Sequence, residues 1–243
     1  MSLIYQVLYL LLFFYKLEKY NKYVAGLLNI ENPLEEEIIV TSESYVNKIL
    51  KDAFPSIKLT YTLPKILDVE NDNPLGQDIW TELDKFILPK CVTQKEYCEE
   101  KIRRTGMKKA QNAGKRKAIW EAVETIFTEW NKLEEQPIQY IIYKLIQKIE
   151  NGEYTIPEEL KTDYLFVDEA QDLSAATLRL IRTTVCESMI LAGDNDQSVF
   201  QPGFTWNRAG IDINGHSKIL NINFRSTNQI NEVAEKYRTT IKG

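Results

Sequence analysis

The chain has 243 residues, 44% of them hydrophobic, and a formal net charge of −5, so it is long enough for one or two domains with a substantial core. This acidic balance excludes a globally basic nucleic-acid-binding protein, which means that any contact with nucleic acid has to be local. The three cysteines, Cys91, Cys98 and Cys186, have neither a metal-site spacing nor an even number for disulfides, and they predict buried thiols in a reducing cytoplasm.

Residues 4–15 are almost wholly apolar, with Gln6 as the polar exception. The run is shorter than the ~20 residues that span a bilayer. It also lacks the basic start and the small-residue cleavage site of a signal peptide. We therefore expect a buried helix here and no association with a membrane.

Residues 37–41 predict a strand, residues 42–54 a helix and residues 57–62 a second strand. The helix places Val46, Ile49, Leu50 and Ala53 on one face. At the end of the first strand, Thr41 and Ser42 could meet a phosphate, and Ser42 is equally suited to be a helix N-cap.

The character of the chain changes to long helices between residues 64 and 155. The last of three predicted helices, residues 138–149, starts directly after Pro137 and ends near Gly152. Proline is common at the start of a helix and glycine just past its end. The pattern predicts a helical subdomain inserted into a sheet domain. Two apolar stripes mark the other helices: Ile79, Trp80, Leu83, Phe86 and Ile87; and Ile119, Trp120, Val123, Ile126, Phe127, Trp130 and Leu133.

A concentrated positive charge lies inside this helical region, between residues 101 and 117, which hold eight Lys or Arg and no Asp or Glu. One interpretation is a solvated basic loop without a ligand. The other is a patch that contacts DNA phosphates, whose signature is a steep dependence of binding on salt. The basic residues are Lys101, Arg103, Arg104, Lys108, Lys109, Lys115, Arg116 and Lys117.

Residues 164–167 are four apolar residues in a row, which predict a short strand buried on both faces of a parallel sheet. Asp168 and Glu169 follow directly. Ligands of open α/β sheets bind beyond the carboxyl ends of the strands, so these two carboxylates lie where chemistry is usually done. One of them can hold a hydrated magnesium ion while its neighbour orients or deprotonates a water molecule.

Two further apolar runs deliver polar groups in the same way. Residues 189–192 lead into a turn that contains Gln197, and residues 219–223 lead into Phe224 and Arg225. Three strands would then bring an acid pair, a glutamine and an arginine to one sheet edge. This set predicts a site for a nucleotide phosphate, with a metal ligand, a base, a γ-phosphate sensor and a cationic clamp.

Three motifs carry a family resemblance: Val-Asp-Glu-Ala-Gln-Asp at 167–172, Ala-Gly-Asp-Asn-Asp-Gln-Ser at 192–198 and Asn-Phe-Arg-Ser-Thr at 223–227. In this order and spacing they resemble the UvrD/Rep/PcrA-like branch of superfamily-one DNA helicases. The resemblance implies an α/β fold, a RecA-like parallel sheet of the P-loop NTPase type with helices on both faces and a helical insertion. Residues 1–63 are then the first part of the RecA-like ATPase domain, residues 64–155 the inserted subdomain and residues 156–243 the remainder.

The resemblance also implies roles for individual residues, with ATP and Mg²⁺ as cofactors. Asp168 would hold magnesium through water, Glu169 would activate the attacking water, Gln197 would sense the γ-phosphate and Arg225 would stabilise transition-state charge. Phe224 would pack on the adenine. Gln171 is grouped with the nucleotide-binding residues, although we expect it and Asp172 to link motifs rather than to touch phosphate.

Contacts with single-stranded DNA, and with duplex DNA ahead of the motor, are implied for three further places. Trp206 and Phe200 lie where relatives stack aromatic rings on unpaired bases. Trp206 has packing under the sheet as its alternative, and Phe200 has a place in the core. Thr41 lies at a strand end that touches single-stranded DNA in relatives, and the basic residues between 103 and 117 would contact the duplex.

One motif of the family is missing from this sequence. A Walker A loop needs Gly-x-x-x-x-Gly-Lys-Ser/Thr, and the one Gly-Lys pair, Gly114 and Lys115, is followed by Arg116. We expect the chain to be a piece of a longer protein cut after that loop, with a degenerate relative that lost the loop as the alternative. The isolated chain, which also lacks the second RecA-like domain, is expected to be inactive.

The sequence therefore predicts part of an ATP-dependent DNA helicase or translocase. The alternative is a DNA-binding or regulatory relative that keeps the fold and hydrolyses no nucleotide. A metal nuclease built on Asp168, Glu169, Asp194 and Asp196 is the third hypothesis. It leaves Gln197 and Arg225 without a role.

Overall fold

The computed structural model describes residues 40–66, 76–100, 111–193 and 206–212, with short pieces at 104, 107, 215, 217, 227, 229–230, 232–234 and 236. The helices in these ranges are α1 (Ser42–Ala53), α2 (Gly76–Glu82), α3 (Gln94–Cys98), α4 (Ala113–Trp130), α5 (Ile138–Glu150) and α6 (Ala175–Arg182). The strands are β1 (Lys58–Thr60), β2 (Glu135–Pro137), β3 (Thr162–Val167) and β4 (Val185–Leu191). Among the described residues, no helix combines the length and the apolar character needed to cross a membrane.

All the described strand pairs are parallel. β1 pairs with β2, and β3 pairs with β4 in a register that places Tyr164 opposite Ser188 and Val167 opposite Leu191. Helix α6 connects β3 to β4, because two parallel neighbours need a crossover rather than a hairpin. The alternation of helices and parallel strands confirms the predicted α/β class.

The prediction that residues 164–167 are buried on both faces is wrong. Tyr164 and Phe166 are 66% and 74% exposed, and Ile190 beside them on β4 is 53% exposed. Leu165 and Val167, on the opposite face, pack against buried residues. Successive side chains of a strand point to opposite faces, so the described helices cover one face of this sheet and leave the other open.

The buried core is continuous from α1 through the helices of the predicted insertion to α6. The apolar stripe of α4 is confirmed, since Ile119, Val123, Ile126 and Trp130 are fully buried. Leu133, predicted as part of that stripe, lies beyond the helix end and is 38% exposed. The boundaries at residues 64 and 155 stay a prediction.

Helix ends follow local sequence closely. Thr41, rather than Ser42, is the N-cap of α1, with its Oγ1 accepting a hydrogen bond from the Ser44 N–H at 3.1 Å. Ser174 caps α6 in the same way, accepting from the Thr177 N–H at 3.0 Å. Residues 37–39 of the predicted strand at 37–41 lie outside the described residues. The remaining two residues, Val40 and Thr41, are not in a strand. The second predicted strand, 57–62, is shortened to β1.

Candidate functional site

The acid pair lies at the carboxyl end of β3, as predicted. Asp168 and Glu169 are both exposed, and the Glu169 N–H donates to Asp168 Oδ1 at 2.9 Å. Glu169 has a left-handed backbone, with φ 51° and ψ 38°, and a short 3-10 turn (Ala170–Asp172) begins after it. This conformation costs about 1–2 kcal/mol for a residue with a side chain, and such strain is concentrated at functional sites.

Gln171 connects this turn to the neighbouring strand end. Its side chain is 1% exposed, and its Nε2 donates to Glu169 Oε2 at 2.6 Å. The two strands continue their ladder past β3, because the Ala170 N–H donates to the Ala192 carbonyl at 2.9 Å and the Ala192 N–H to the Val167 carbonyl at 2.8 Å. This ladder brings Gly193 against the amide of Gln171.

The acid pair is chemically suited to magnesium. Mg²⁺ is usually held by one or two carboxylates together with phosphate oxygens and water, rather than by an all-protein cage. Asp168 and Glu169 offer hard oxygen donors of that kind at an exposed strand end. In the part of the chain that the structure describes, no group of three or more His, Cys, Asp or Glu is placed to hold a metal ion.

Several predicted site residues lie outside the described residues. Their roles stay predictions, and so does their proximity to Asp168 and Glu169. Of the predicted nucleotide site, the structure brings together the acid pair and Gln171, and it places Gly193 of the second motif beside them. The residues outside the description are Gln197, Phe200, Phe224, Arg225, Arg103, Lys108 and Lys109.

Trp206 begins a 3-10 turn (Trp206–Ala209) that packs on α6. The indole is half-buried against a small cluster formed by Ala175, Leu178 and Ala209. Part of the ring therefore packs, as in the alternative given above, while part stays accessible. Stacking on a DNA base stays a prediction.

Arg208 is a structural residue that no local pattern in the sequence signals. Its Nη1 and Nη2 donate to the two carboxylate oxygens of Glu96 at 2.5 and 2.8 Å, while Nε and Nη2 donate to the carbonyls of Lys90 and Cys91 at 2.7 and 3.0 Å. The hydrogen-bonded guanidinium lowers the pKa of Glu96 to about 2. This bridge fastens the turn that carries Trp206 to the loop before α3.

Glu96 has a second role that the sequence does signal. It closes a capping box with Thr93 at the start of α3, accepting from the Thr93 N–H at 2.8 Å. The pattern Thr-x-x-Glu at 93–96 is visible in the sequence, whereas its partner Arg208 lies 112 residues away.

The described members of the basic segment are partly engaged with acids. Arg104 forms an ion pair with buried Glu82, and Lys115 Nζ lies 2.6 Å from Asp78 Oδ2. Lys115, Arg116 and Lys117 all lie in the first turns of α4, and Lys117 is exposed. Cations at a helix N-terminus oppose the helix dipole, and for Lys115 the ion pair with Asp78 offsets this cost. Contact with DNA through these residues, and through exposed Thr41, stays a prediction.

Comparisons with known proteins agree with the motifs. A family model described as the UvrD/REP helicase N-terminal domain matches residues 16–214. The chain is also 28% identical over 130 residues to a protein named "Probable DNA helicase II homolog" from Mycoplasma capricolum subsp. capricolum. The aligned region is 49% of this chain and 17% of that relative. The resemblance drawn from the three motifs is thereby confirmed.

Proposed function

The chain belongs to the UvrD/REP helicase N-terminal domain family and has its RecA-like α/β fold, and on that basis we propose that it is part of an ATP-dependent DNA helicase. In this proposal the parent protein couples hydrolysis of ATP to movement along single-stranded DNA. The observation that carries it is the exposed acid pair at the end of β3, with Glu169 in a strained left-handed conformation beside Asp168.

The residues of the pair have different tasks in this proposal. Asp168 holds a hydrated magnesium ion, which when bound neutralises charge on the phosphates. Glu169 accepts a proton from the water that attacks the γ-phosphate, and its fixed backbone aims the carboxylate. Gln197 and Arg225, both outside the described residues, complete the site as γ-phosphate sensor and cationic clamp.

DNA binding in this proposal uses the turn that begins at Trp206, which packs near the carboxyl ends of β3 and β4, and the start of α4. The accessible part of Trp206 stacks on an unpaired base, and exposed Lys117 with its basic neighbours contacts phosphates. Arg208 holds the Trp206 turn on the loop that precedes α3. Movement of that turn would therefore be transmitted through Arg208 to the helical region.

The decisive test is DNA-stimulated ATPase activity of the full-length protein that contains this chain. Glu169→Gln removes the base while keeping the shape of the side chain, and we expect a loss of at least about 100-fold in kcat. Glu187→Gln on β4 is the matched control, because Glu187 is an exposed acid away from the strand end. A Glu169→Gln enzyme with the wild-type rate would refute the proposed role. A full-length protein that binds DNA and hydrolyses no ATP would establish the non-hydrolysing relative instead.

A further inference from the structure

The amide of Gln171 lies between two segments of the chain. One is the turn after β3 with Glu169, which belongs to the first motif, and the other is Gly193, which belongs to the second motif. The side chain of Gln171 is one of the few polar side chains buried in the described residues, at 1% exposure. Its Nε2 donates to Glu169 Oε2 at 2.6 Å, a short distance that is typical of a charge-assisted hydrogen bond. A side chain so enclosed has little surface left for contact with a bound nucleotide.

The other end of the same amide faces Gly193. A Cβ atom built on Gly193 would lie 2.5 Å from Gln171 Oε1, closer than real Cβ contacts come. It would also lie 3.3 Å from the backbone N of Gln171 and 3.4 Å from that of Ala170. The ladder between Ala170 and Ala192 fixes the distance between the two segments, so a side chain at 193 would displace the amide.

We infer that Gln171 is a positioning residue: its amide holds the Glu169 carboxylate and itself packs closely against the backbone of Gly193. An exposed glutamate has several side-chain rotamers of similar energy, and one strong donor selects among them. In the sequence, Gln197 follows Gly193 by four residues. A displacement at Gly193 would therefore reach Glu169 through one side chain. The kinetic consequence rests on the proposed function, whereas the contact itself does not.

The kinetic test uses the full-length protein with Gln171→Met, which keeps the length of the side chain and removes the donor. We expect kcat for ATP hydrolysis to fall by about 10–100-fold, the usual cost of removing a partner that orients an active-site ligand. The KM for ATP should stay within about twofold, because the interaction is not made with ATP. Gln147→Met on α5 is the matched control, since Gln147 donates to Cys91 Sγ in another part of the chain.

A second variant tests the link to Gly193. Gly193→Ala should lower kcat to a similar extent, because its methyl group displaces the Gln171 amide. The double variant Gln171→Ala with Gly193→Ala should lose clearly less activity than the product of the two single losses, since both changes act mainly through one amide. Losses that multiply in the double variant would overturn the inference.

Two other outcomes would also overturn it. A KM raised about tenfold with kcat unchanged would make Gln171 a nucleotide contact. Unchanged kcat and KM with a lower urea midpoint would make it a packing residue without a part in catalysis.

The contact can be measured without any enzyme activity. In the ¹⁵N spectrum of the 243-residue chain, Glu169→Ala and Gly193→Ala should each shift the side-chain amide signals of Gln171. If the side-chain amide signals of Gln171 shift in neither variant, the inference is refuted even if the enzyme is active. An amide that responds to both, in a full-length protein that hydrolyses no ATP, would refute the proposed function and leave the contact established.

Discussion

Replacement of Arg208 by Met should destabilise the chain by separating the Trp206 turn from the loop before α3. The substitution keeps the aliphatic stem and removes four hydrogen bonds, two to Glu96 and two to the carbonyls of Lys90 and Cys91. Cys91 itself has a left-handed backbone with φ 49°, which these contacts help to hold. The Glu96 carboxylate loses its main partner.

The size of the effect follows from the pKa of Glu96. Arg208 and the Thr93 hydrogen bonds lower that pKa from 4.5 to about 2, which corresponds to about 3 kcal/mol of stability at neutral pH. About a fifth of each side chain is exposed (21% for Arg208 and 22% for Glu96), so solvent screens part of the interaction. We therefore expect a loss of roughly 2 kcal/mol in the free energy of unfolding. For a urea slope of about 3 kcal/mol/M, the midpoint falls by roughly 0.7 M.

The pH dependence has a definite sign. A carboxylate whose pKa is lowered by folding contributes its stability above its unfolded pKa and loses that stability as the pH falls through its folded pKa. For Glu96 the loss runs from about pH 4.5 down to about pH 2. Urea titrations followed by tryptophan fluorescence at pH 7 and pH 3.5 should therefore show a smaller acid sensitivity for Arg208→Met than for the wild type.

Lys132→Met provides the control, because Lys132 pairs with Glu129 on the surface with 64% of its side chain exposed. An ion pair so exposed contributes little to the free energy of unfolding, and the urea midpoint should move by less than about 0.2 M. Equal midpoints for Arg208→Met and the wild type, or equal losses between pH 7 and pH 3.5, would refute the assignment of the bridge as a stabilising contact.

Three further outcomes can be checked on the 243-residue chain. Ser174→Ala removes the N-cap of α6 and should lower the free energy of unfolding by about 1 kcal/mol in urea titrations, whereas Ser174→Asp should retain the cap. Trp206→Ala should weaken binding to a fluorescent oligo-dT by about 1–3 kcal/mol in anisotropy titrations; unchanged affinity with a lower urea midpoint would assign the ring to packing alone. The isolated chain, which lacks the Gly-x-x-x-x-Gly-Lys-Ser/Thr pattern, should release no phosphate from ATP above background, and robust DNA-stimulated release would contradict this.

Local patterns predicted the helices well. The stripe of α4, the proline and glycine ends of α5 and the helix at 42–54 are all encoded within a few neighbouring residues, where periodicity and end preferences operate. The apolar runs at 164–167 and 189–192 likewise predicted the parallel pair β3 and β4. What the runs could not predict was which face would be covered, since Phe166 and Leu165 are equally apolar in the sequence and differ in their neighbours.

Long-range contacts were beyond local reasoning. β2 has three residues, one of them Pro137, and shows no alternation, so its ladder with β1 depends on packing that the sequence does not display. The acid pair was found because its two members are adjacent and follow a strand. The bridge from Arg208 to Glu96 was not predicted, and for Gln171 only a link between motifs was expected and not its contact with Gly193, because each contact joins segments that meet only after folding.

Backbone conformation and the proposed chemistry favour different residues at position 169. Glycine populates the left-handed region without steric penalty, so local conformational energy alone favours glycine at this position by about 1 kcal/mol. The chain has glutamate there instead, and in the proposed function the role of its carboxylate as the base offsets this conformational cost. Screens that rank variants by thermal stability would thus tend to favour loss of Glu169, and they should be paired with an activity screen when this protein is engineered.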